Sequence, residues 1–308
     1  MTTPAVAGRA DPARPLYRGA TGVSTCFGTF GELLQGVLPG RAGDFLVTLP
    51  VARWAMATFQ ADPTAQGVRV HPAHKTKARS LAELILAGTA TAGGGVLTIE
   101  SSLPEGKGMA SSSADLVATA RAVANALHLD LRPRRLEELL RRIEPTDGVL
   151  YPGIVAFDHR EVRLRARLGS LPTMTIVGVD EGGVVDTVAF NRIAKPFSGA
   201  DRREYARLLD AMADAVRRAD LAAVGALASR SAVMNQALWP KRSLAAVLDI
   251  CAEIGGLGVV AAHSGTMLGI LLDVSDPAYR TKIAGTVRAC SRLSDDVSLF
   301  RSLTFDDS

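Results

Sequence analysis

Between residues 104 and 115 the chain reads Pro-Glu-Gly-Lys-Gly-Met-Ala-Ser-Ser-Ser-Ala-Asp, a run suited to holding phosphate. Glycines at 106 and 108 let the backbone take positive φ and come close to a ligand. Ser111, Ser112 and Ser113 supply hydroxyls and N–H groups where a helix is expected to begin. A helix start presents unpaired donors at the positive end of its dipole. The run is not of the Walker type, because Lys107 is followed by Gly108 rather than Ser or Thr. Taken alone it reads equally well as a solvated loop capped by serine, with Lys107 either on a phosphate or exposed. A second group is Glu144-Pro145-Thr146-Asp147-Gly148. Phosphoryl transfer to an alcohol needs in-line positioning, neutralised phosphate charge and often a carboxylate to accept the hydroxyl proton. Asp147 is the candidate for that carboxylate, although Asp-Gly is also a common turn pair.

Hydrophobic spacing says which elements must carry these residues. Val96 to Glu100 predicts a strand feeding the loop, and Leu116, Ala120, Val123 and Leu127 recur at helical spacing beyond it. Residues 44 to 60 and 67 to 70 read as strands, 77 to 87 as a helix, and Gly93 to Gly95 as a break. Leu136, Leu139 and Leu140 mark the helix before Asp147. Leu168-Gly169-Ser170-Leu171-Pro172 predicts a domain boundary. Thr173 to Val179 follows as a strand. Tyr205, Leu208, Leu209, Met212 and Val216 line one later helix, and Leu244, Val247, Leu248, Cys251 and Ile254 another. Val259 to Ala262 and Met267 to Leu272 predict a hairpin. A last helix and strand would complete a ferredoxin-like β-α-β-β-α-β layer. The pattern is α+β.

The bulk composition sets outer limits. At 308 residues, 47% hydrophobic and 21% charged, the chain has material for one large or two medium domains. Aromatics are only 5%, so Leu, Val, Ile and Ala must build the core. Cys26, Cys251 and Cys290 are far apart and read as reduced, cytoplasmic thiols. Apolar runs are too short to span a membrane, and residues 1 to 20 read as a disordered leader without a signal-peptide core. A net charge of +4 suits an anionic nucleotide or a nucleic acid. The basic cluster Arg132, Arg134, Arg135, Arg141 and Arg142 is interleaved with Glu137 and Glu138, which argues for a solvated helix face and against nucleic acid.

The loop resembles the central motif of the GHMP small-molecule kinases, roughly P-x-G-x-G-L-G-S-S-A-A. Pro104, Gly106, Gly108, Ser111, Ser112 and Ala114 match; Ala110 replaces a Gly and Ser113 an Ala. Two more segments follow the same order. Cys26-Phe27-Gly28-Thr29-Phe30-Gly31-Glu32-Leu33-Leu34-Gln35-Gly36 is similar to the opening motif of the L-threonine kinase branch, and Gly255 to Thr266 to its closing A-H-S-G-T motif. Glu144 to Gly148 matches that branch's E-P-T-D-G. Phe27 stands where the branch has Pro and Phe30 where it has Cys, beside the expected acceptor. The first motif carries no lysine or arginine, unlike that of several other GHMP kinases.

The resemblance, running from about residue 25 to 272, implies a two-domain GHMP kinase fold. A βαβ-type nucleotide domain would occupy 21–168 and a ferredoxin-like domain 169–308. It implies ATP held by Pro104, Gly106, Lys107, Gly108, Met109, Ala110, Ser111, Ser112 and Ser113. Mg2+ would be held by Ser112 and a glutamate on the next helix, Glu144 or, less favoured, Glu137. Asp147 would be the base. Thr29, Glu32, Gln35, His263, Ser264, Gly265 and Thr266 would line the acceptor, with Glu32 able to grip an ammonium. The acceptor implied is the hydroxyl of L-threonine, giving L-threonine O-3-phosphate, a precursor of the cobalamin linker. Another small alcohol such as homoserine, or a noncatalytic sensor on the same fold, are the competing readings. No nucleic-acid or membrane partner is expected.

Overall fold

The apolar strand that leads into the phosphate loop belongs to a β-α-β unit. In the computed structural model, which describes residues 19–40, 44–89, 93–185, 190 and 192–306, β3 (Val68–His71) and β4 (Gly94–Ser101) run parallel. Parallel neighbours need a crossover, and α1 (Thr76–Ala87) supplies it, burying Ala78, Leu81, Ala82 and Ile85. Residues 1–18 of the expected leader lie outside the described residues, while Gly19 and Ala20 already hydrogen-bond to Ala61.

Two long strands, β1 (Thr21–Val37) and β2 (Asp44–Asp62), pair antiparallel and connect this unit to the rest. The first motif is therefore a strand, which its glycines conceal: Gly28, Gly31 and Gly36 break the alternation, and the register shifts at Phe27/Gly28, Thr29/Glu32 and Glu32/Leu34. Helix α2 (Ser111–Leu127) lies across both strands. Its alanines allow close approach, so that a Cβ on Gly22 would come within 2.1 Å of the Ala122 carbonyl oxygen. After α3 (Pro133–Arg141) and a 3-10 turn (Gly148–Leu150), β5 (Ile154–Asp158) and β6 (Arg163–Gly169) form a hairpin against β2. Sequence spacing did not reveal this hairpin; β6 ends inside the segment expected as a boundary.

The C-terminal part runs β7 (Met174–Asp180), α4 (Gly199–Arg217), α5 (Leu221–Asn235), α6 (Leu244–Glu253), β8 (Gly258–Ala261), β9 (Met267–Asp273), α7 (Tyr279–Cys290) and β10 (Val297–Arg301). The strands lie β10-β7-β9-β8 and are antiparallel, the split β-α-β layer expected. Helix α5 was not foreseen, because its alanine-rich sequence carries little amphipathic signal. The whole sheet reads β10-β7-β9-β8-β1-β2-β4-β3, with β5 and β6 off that path.

The larger core cluster draws on both sides of residue 168, joining Phe30, Leu33 and Phe59 to Phe190, Tyr205 and Phe300. A smaller one packs Val177, Leu268 and Ile270 beneath Val247 and Cys251. Phe27 and Phe30 belong to the first. Phe27 packs against Trp54 and Phe305, and Phe30 is stacked 4.9 Å from Phe300. Neither lines the cavity described below. The arginines of α3 are engaged locally: Arg132 with Asp130, Arg135 with Glu138, and Arg141 with the carbonyls of Glu161 and Val162. No described helix is long and apolar enough to cross a membrane.

Candidate active site

Three glycine-containing segments, distant in sequence, are joined here through their backbones. Thr29 N–H donates to the Met109 carbonyl at 3.2 Å and Gly31 N–H to the Gly108 carbonyl at 3.3 Å. Thr266 N–H donates to the Lys107 carbonyl at 3.3 Å. A Cβ on Gly265 would stand 2.1 Å from that same carbonyl oxygen, and one on Gly108 would stand 2.4 Å from Ala262 Cβ. Only glycine permits this contact. Gly106 and Gly108 take φ of +70° and +83°. Ala110 takes φ +56° at the helix N-cap, where the family pattern has glycine; left-handed backbone costs a non-glycine residue about 1–2 kcal/mol.

The serines do not cap α2. They form its first turn, and among the described residues no side chain caps that end, so its N–H donors face a cavity of ≈ 570 Å³. This volume is in the range of ligand sites. Gly106, Gly108, Met109, Ala110 and Ser111 to Ser113 line it, with Glu144, Asp147, His263 and Ser264.

Asp147 is tied to α2 twice. Its N–H donates to Ser113 Oγ at 3.0 Å, and Ser113 Oγ donates to its carboxylate at 3.3 Å. Burial raises its pKa to about 6, helped by the charge of Glu144 and opposed by the Ser113 hydrogen bond. Glu144 accepts from the Ser112 hydroxyl through one oxygen and from the Lys77 ammonium through the other. It lies three residues beyond α3 rather than on it. Glu137, which is on α3, is buried away from the cavity and receives Tyr151 Oη and Leu164 N–H. Ser112 and Glu144 together offer hard oxygen donors suited to Mg2+.

Other expected residues divide into lining and supporting positions. Lys107 is paired with Asp180 at 2.5 Å and donates to the Gly183 carbonyl, while Thr266 Oγ1 donates to the other Asp180 oxygen at 2.5 Å. Gly265 presents its carbonyl to the buried Lys241 ammonium, whose pKa desolvation lowers to about 8. Gln35 Nε2 donates to the Ala261 carbonyl, so its Oε1 accepts, at 2.7 Å, from His263 Nδ1. That leaves His263 Nε2 with a free lone pair; His263 lines the cavity, and this buried atom has no hydrogen-bond partner among the described residues. Burial and neighbouring cations hold the imidazole neutral. Thr29 and Glu32 lie behind the cavity wall, and Thr29 Oγ1 and Glu32 Oε2 are likewise unpaired there. Burial, with the charge of Asp147 adding, drives the Glu32 pKa well upward.

The segment 74–77 was missed. Lys75 sits 2.5 Å from Asp115 and 2.6 Å from Glu105, which His74 also meets. Two lysines at the start of an expected helix, where cations oppose the dipole, were the available signal. Asp44, His159 and His263 also bring metal-capable atoms within 4.8 Å of one another. Lys195 at 2.8 Å and Arg160 at 3.2 Å already attend Asp44, which makes this an unfavourable place for a further cation.

Comparison with known proteins agrees with this geometry. Residues 76–151 match the model for the GHMP kinases N terminal domain. The chain is 29% identical over 259 residues to an L-threonine kinase of Salmonella typhimurium, covering 82% of this chain and 83% of the relative. It is 30% identical over 179 residues to an L-threonine kinase of Citrobacter freundii, covering 58% and 62%. The solved homoserine kinase of Cytophaga hutchinsonii superposes with a TM-score of 0.70 at 14% identity, over 94% of this chain and 96% of that one. This last likeness concerns the fold alone. Sequence kinship over most of the length and shared architecture over nearly all of it lead to one conclusion: the chain carries a GHMP kinases N terminal domain and is similar to L-threonine kinases over most of its length.

Proposed function

We propose that this kinase transfers the terminal phosphoryl group of ATP to the side-chain hydroxyl of L-threonine or a closely related small hydroxy amino acid. The observation that carries the reading is Asp147 fixed by Ser113 at the N-terminus of α2, on the same cavity wall as Glu144 and Ser112. The similarity to named L-threonine kinases supports L-threonine as the acceptor. When bound, Mg-ATP supplies the phosphoryl group and the divalent charge that neutralises it. The N–H donors of Ser111 to Ser113 and the backbone of Gly106 to Ala110 would bind the phosphates, and Ser112 with Glu144 would hold the metal. Asp147 accepts the acceptor's hydroxyl proton as the new oxygen–phosphorus bond forms and the bridging bond to ADP breaks. The Nε2 of His263 accepts a hydrogen bond from the acceptor, its tautomer set by Gln35. We assign 21–168 to nucleotide binding and 169–308 to a ferredoxin-like half that supplies His263 and Ser264.

The test is incubation with Mg-ATP and L-threonine, L-serine, homoserine, mevalonate or galactose, with products identified by phosphorus NMR. Phosphothreonine is expected, and turnover by Asp147→Asn should fall by about 10²–10⁴-fold with the fold intact. Near-normal turnover by that variant removes Asp147 from the mechanism. Preference for another acceptor moves the substrate and leaves the chemistry.

A further inference from the structure

The start of α1 carries charge of the wrong sign for a helix. Lys75 is its N-cap residue and Lys77 lies in its first turn, which contains no acidic residue. Helix N-termini favour anions, so each lysine must be stabilised by an anion from elsewhere. Lys75 is locked: it is 12% exposed and shared between Asp115 and Glu105. Lys77 differs. Its side chain is 43% exposed and its one ion-pair partner among the described residues is Glu144, whose second oxygen holds Ser112. The ammonium therefore stands one carboxylate away from the open N-terminus of α2, on the wall of the same cavity.

We propose that Lys77 is the cation that meets the transferring phosphoryl group, passing from Glu144 to a terminal oxygen of the bound nucleoside triphosphate. This rests on the kinase reading above. As Glu144 turns toward a divalent ion, Lys77 loses its counter-charge, and the nearest replacement is the phosphate bound at the loop. A lysine is suited to such a move, being a compact charge on a flexible four-carbon stem. The other cations near the loop are held elsewhere. Lys107 is bound by Asp180 and the Gly183 carbonyl, and residues 28–32 contain none. Arg192 also lines the cavity and is exposed, so it is the rival to be tested.

The experiment compares wild type with Lys77→Met, Lys77→Arg and Arg192→Met. Binding of Mg-ADP and of a nonhydrolysable Mg-triphosphate analogue is measured by calorimetry, with steady-state kinetics alongside. Lys77→Met should lose about tenfold to hundredfold in triphosphate affinity, the worth of one charge-assisted hydrogen bond, and leave ADP affinity unchanged. Its kcat should fall about 10²–10³-fold, as for loss of one preorganised transition-state donor, with the acceptor's KM little altered. Lys77→Arg should recover part of both, and matching melting midpoints establish that each variant folds. Should Lys77→Met melt early, Lys77→Gln takes its place.

Equal weakening of diphosphate and triphosphate, cured by more magnesium, overturns the proposal and makes Lys77 a positioning residue for Glu144. A triphosphate-selective loss in Arg192→Met with none in Lys77→Met also overturns it. Wild-type protein that prefers triphosphate through Lys77 but phosphorylates no acceptor sinks the kinase reading alone.

Discussion

A carboxyl raised to about 6 gives Asp147 two measurable signatures. The first is in catalysis. In the proposed mechanism Asp147 must be ionised to accept the proton, so kcat/KM should fall about tenfold per pH unit below 6 and level off above it. An acidic limb near 4, the range of an ordinary carboxylate, would show that burial does not tune this group. The second is in stability. The folded pKa lies above the ordinary value of 3.8, so ionisation is disfavoured by folding. The destabilisation is absent below pH 3.8, accumulates through the interval up to about 6, and is constant above it. Asp147→Asn, besides losing turnover, should therefore melt higher than wild type at pH 8, with the gain shrinking toward pH 4. A thermal gain independent of pH would assign the effect to something other than the charge. Glu32 sits in the same field, and its burial with the charge of Asp147 raises its pKa as well.

Between elements, the decisive contacts are backbone against backbone. β1, the phosphate loop and the β8–β9 turn meet where Gly31, Gly108 and Gly265 leave no room for a Cβ. Gly265→Ala would set a methyl 2.1 Å from the Lys107 carbonyl and 2.3 Å from the Gly108 nitrogen, atoms that cannot rotate away. The loop must move, and its N–H donors with it. Nucleotide affinity should drop at least tenfold, since displacements of about 1 Å cost that much or more at such sites, while circular dichroism stays close to wild type. Unchanged nucleotide affinity would mean the loop can yield without losing its cradle.

These contacts also explain what was legible in the sequence. The loop, the Glu144–Asp147 turn and the β8–β9 hairpin carry local signals: glycines at fixed offsets, serines before a helical repeat, and two apolar runs around His263-Ser264-Gly265. The placement of Lys75 and Lys77 beside the cavity does not, because it exists only once α1 is laid beside α2. Nor did β1 announce itself, since glycines that serve neighbouring segments erase the period of a strand. Phe27 and Phe30 misled for the same reason: adjacent to the motif in sequence, they face the core in space.

For the whole molecule, the question is whether the chain divides at residue 168. The sheet continues across that point through β1 and β8, paired at Glu32 and Ala261. Phe30 of β1 is enclosed by Gly178, Gly269 and Phe300, and Gly36 lies flat against Tyr205. Helix α5 packs on both β1 and β8. The N-terminal part thus completes its core with residues from beyond 168, and Phe30, Leu33 and Leu34 are fully buried in the whole chain. Losing cover over such side chains costs about 1.5–3 kcal/mol apiece, and the three together are comparable with a typical margin of about 5–15 kcal/mol. The intact chain should therefore unfold in one cooperative transition, with coincident loss of near- and far-ultraviolet circular dichroism. A fragment of residues 19–168 should show no sharp transition and should bind an apolar dye. A fragment that melts cooperatively and binds nucleotide would instead establish two independent domains. The cavity would then be a cleft between folded bodies, and relative motion of the two would become the natural way to admit substrate.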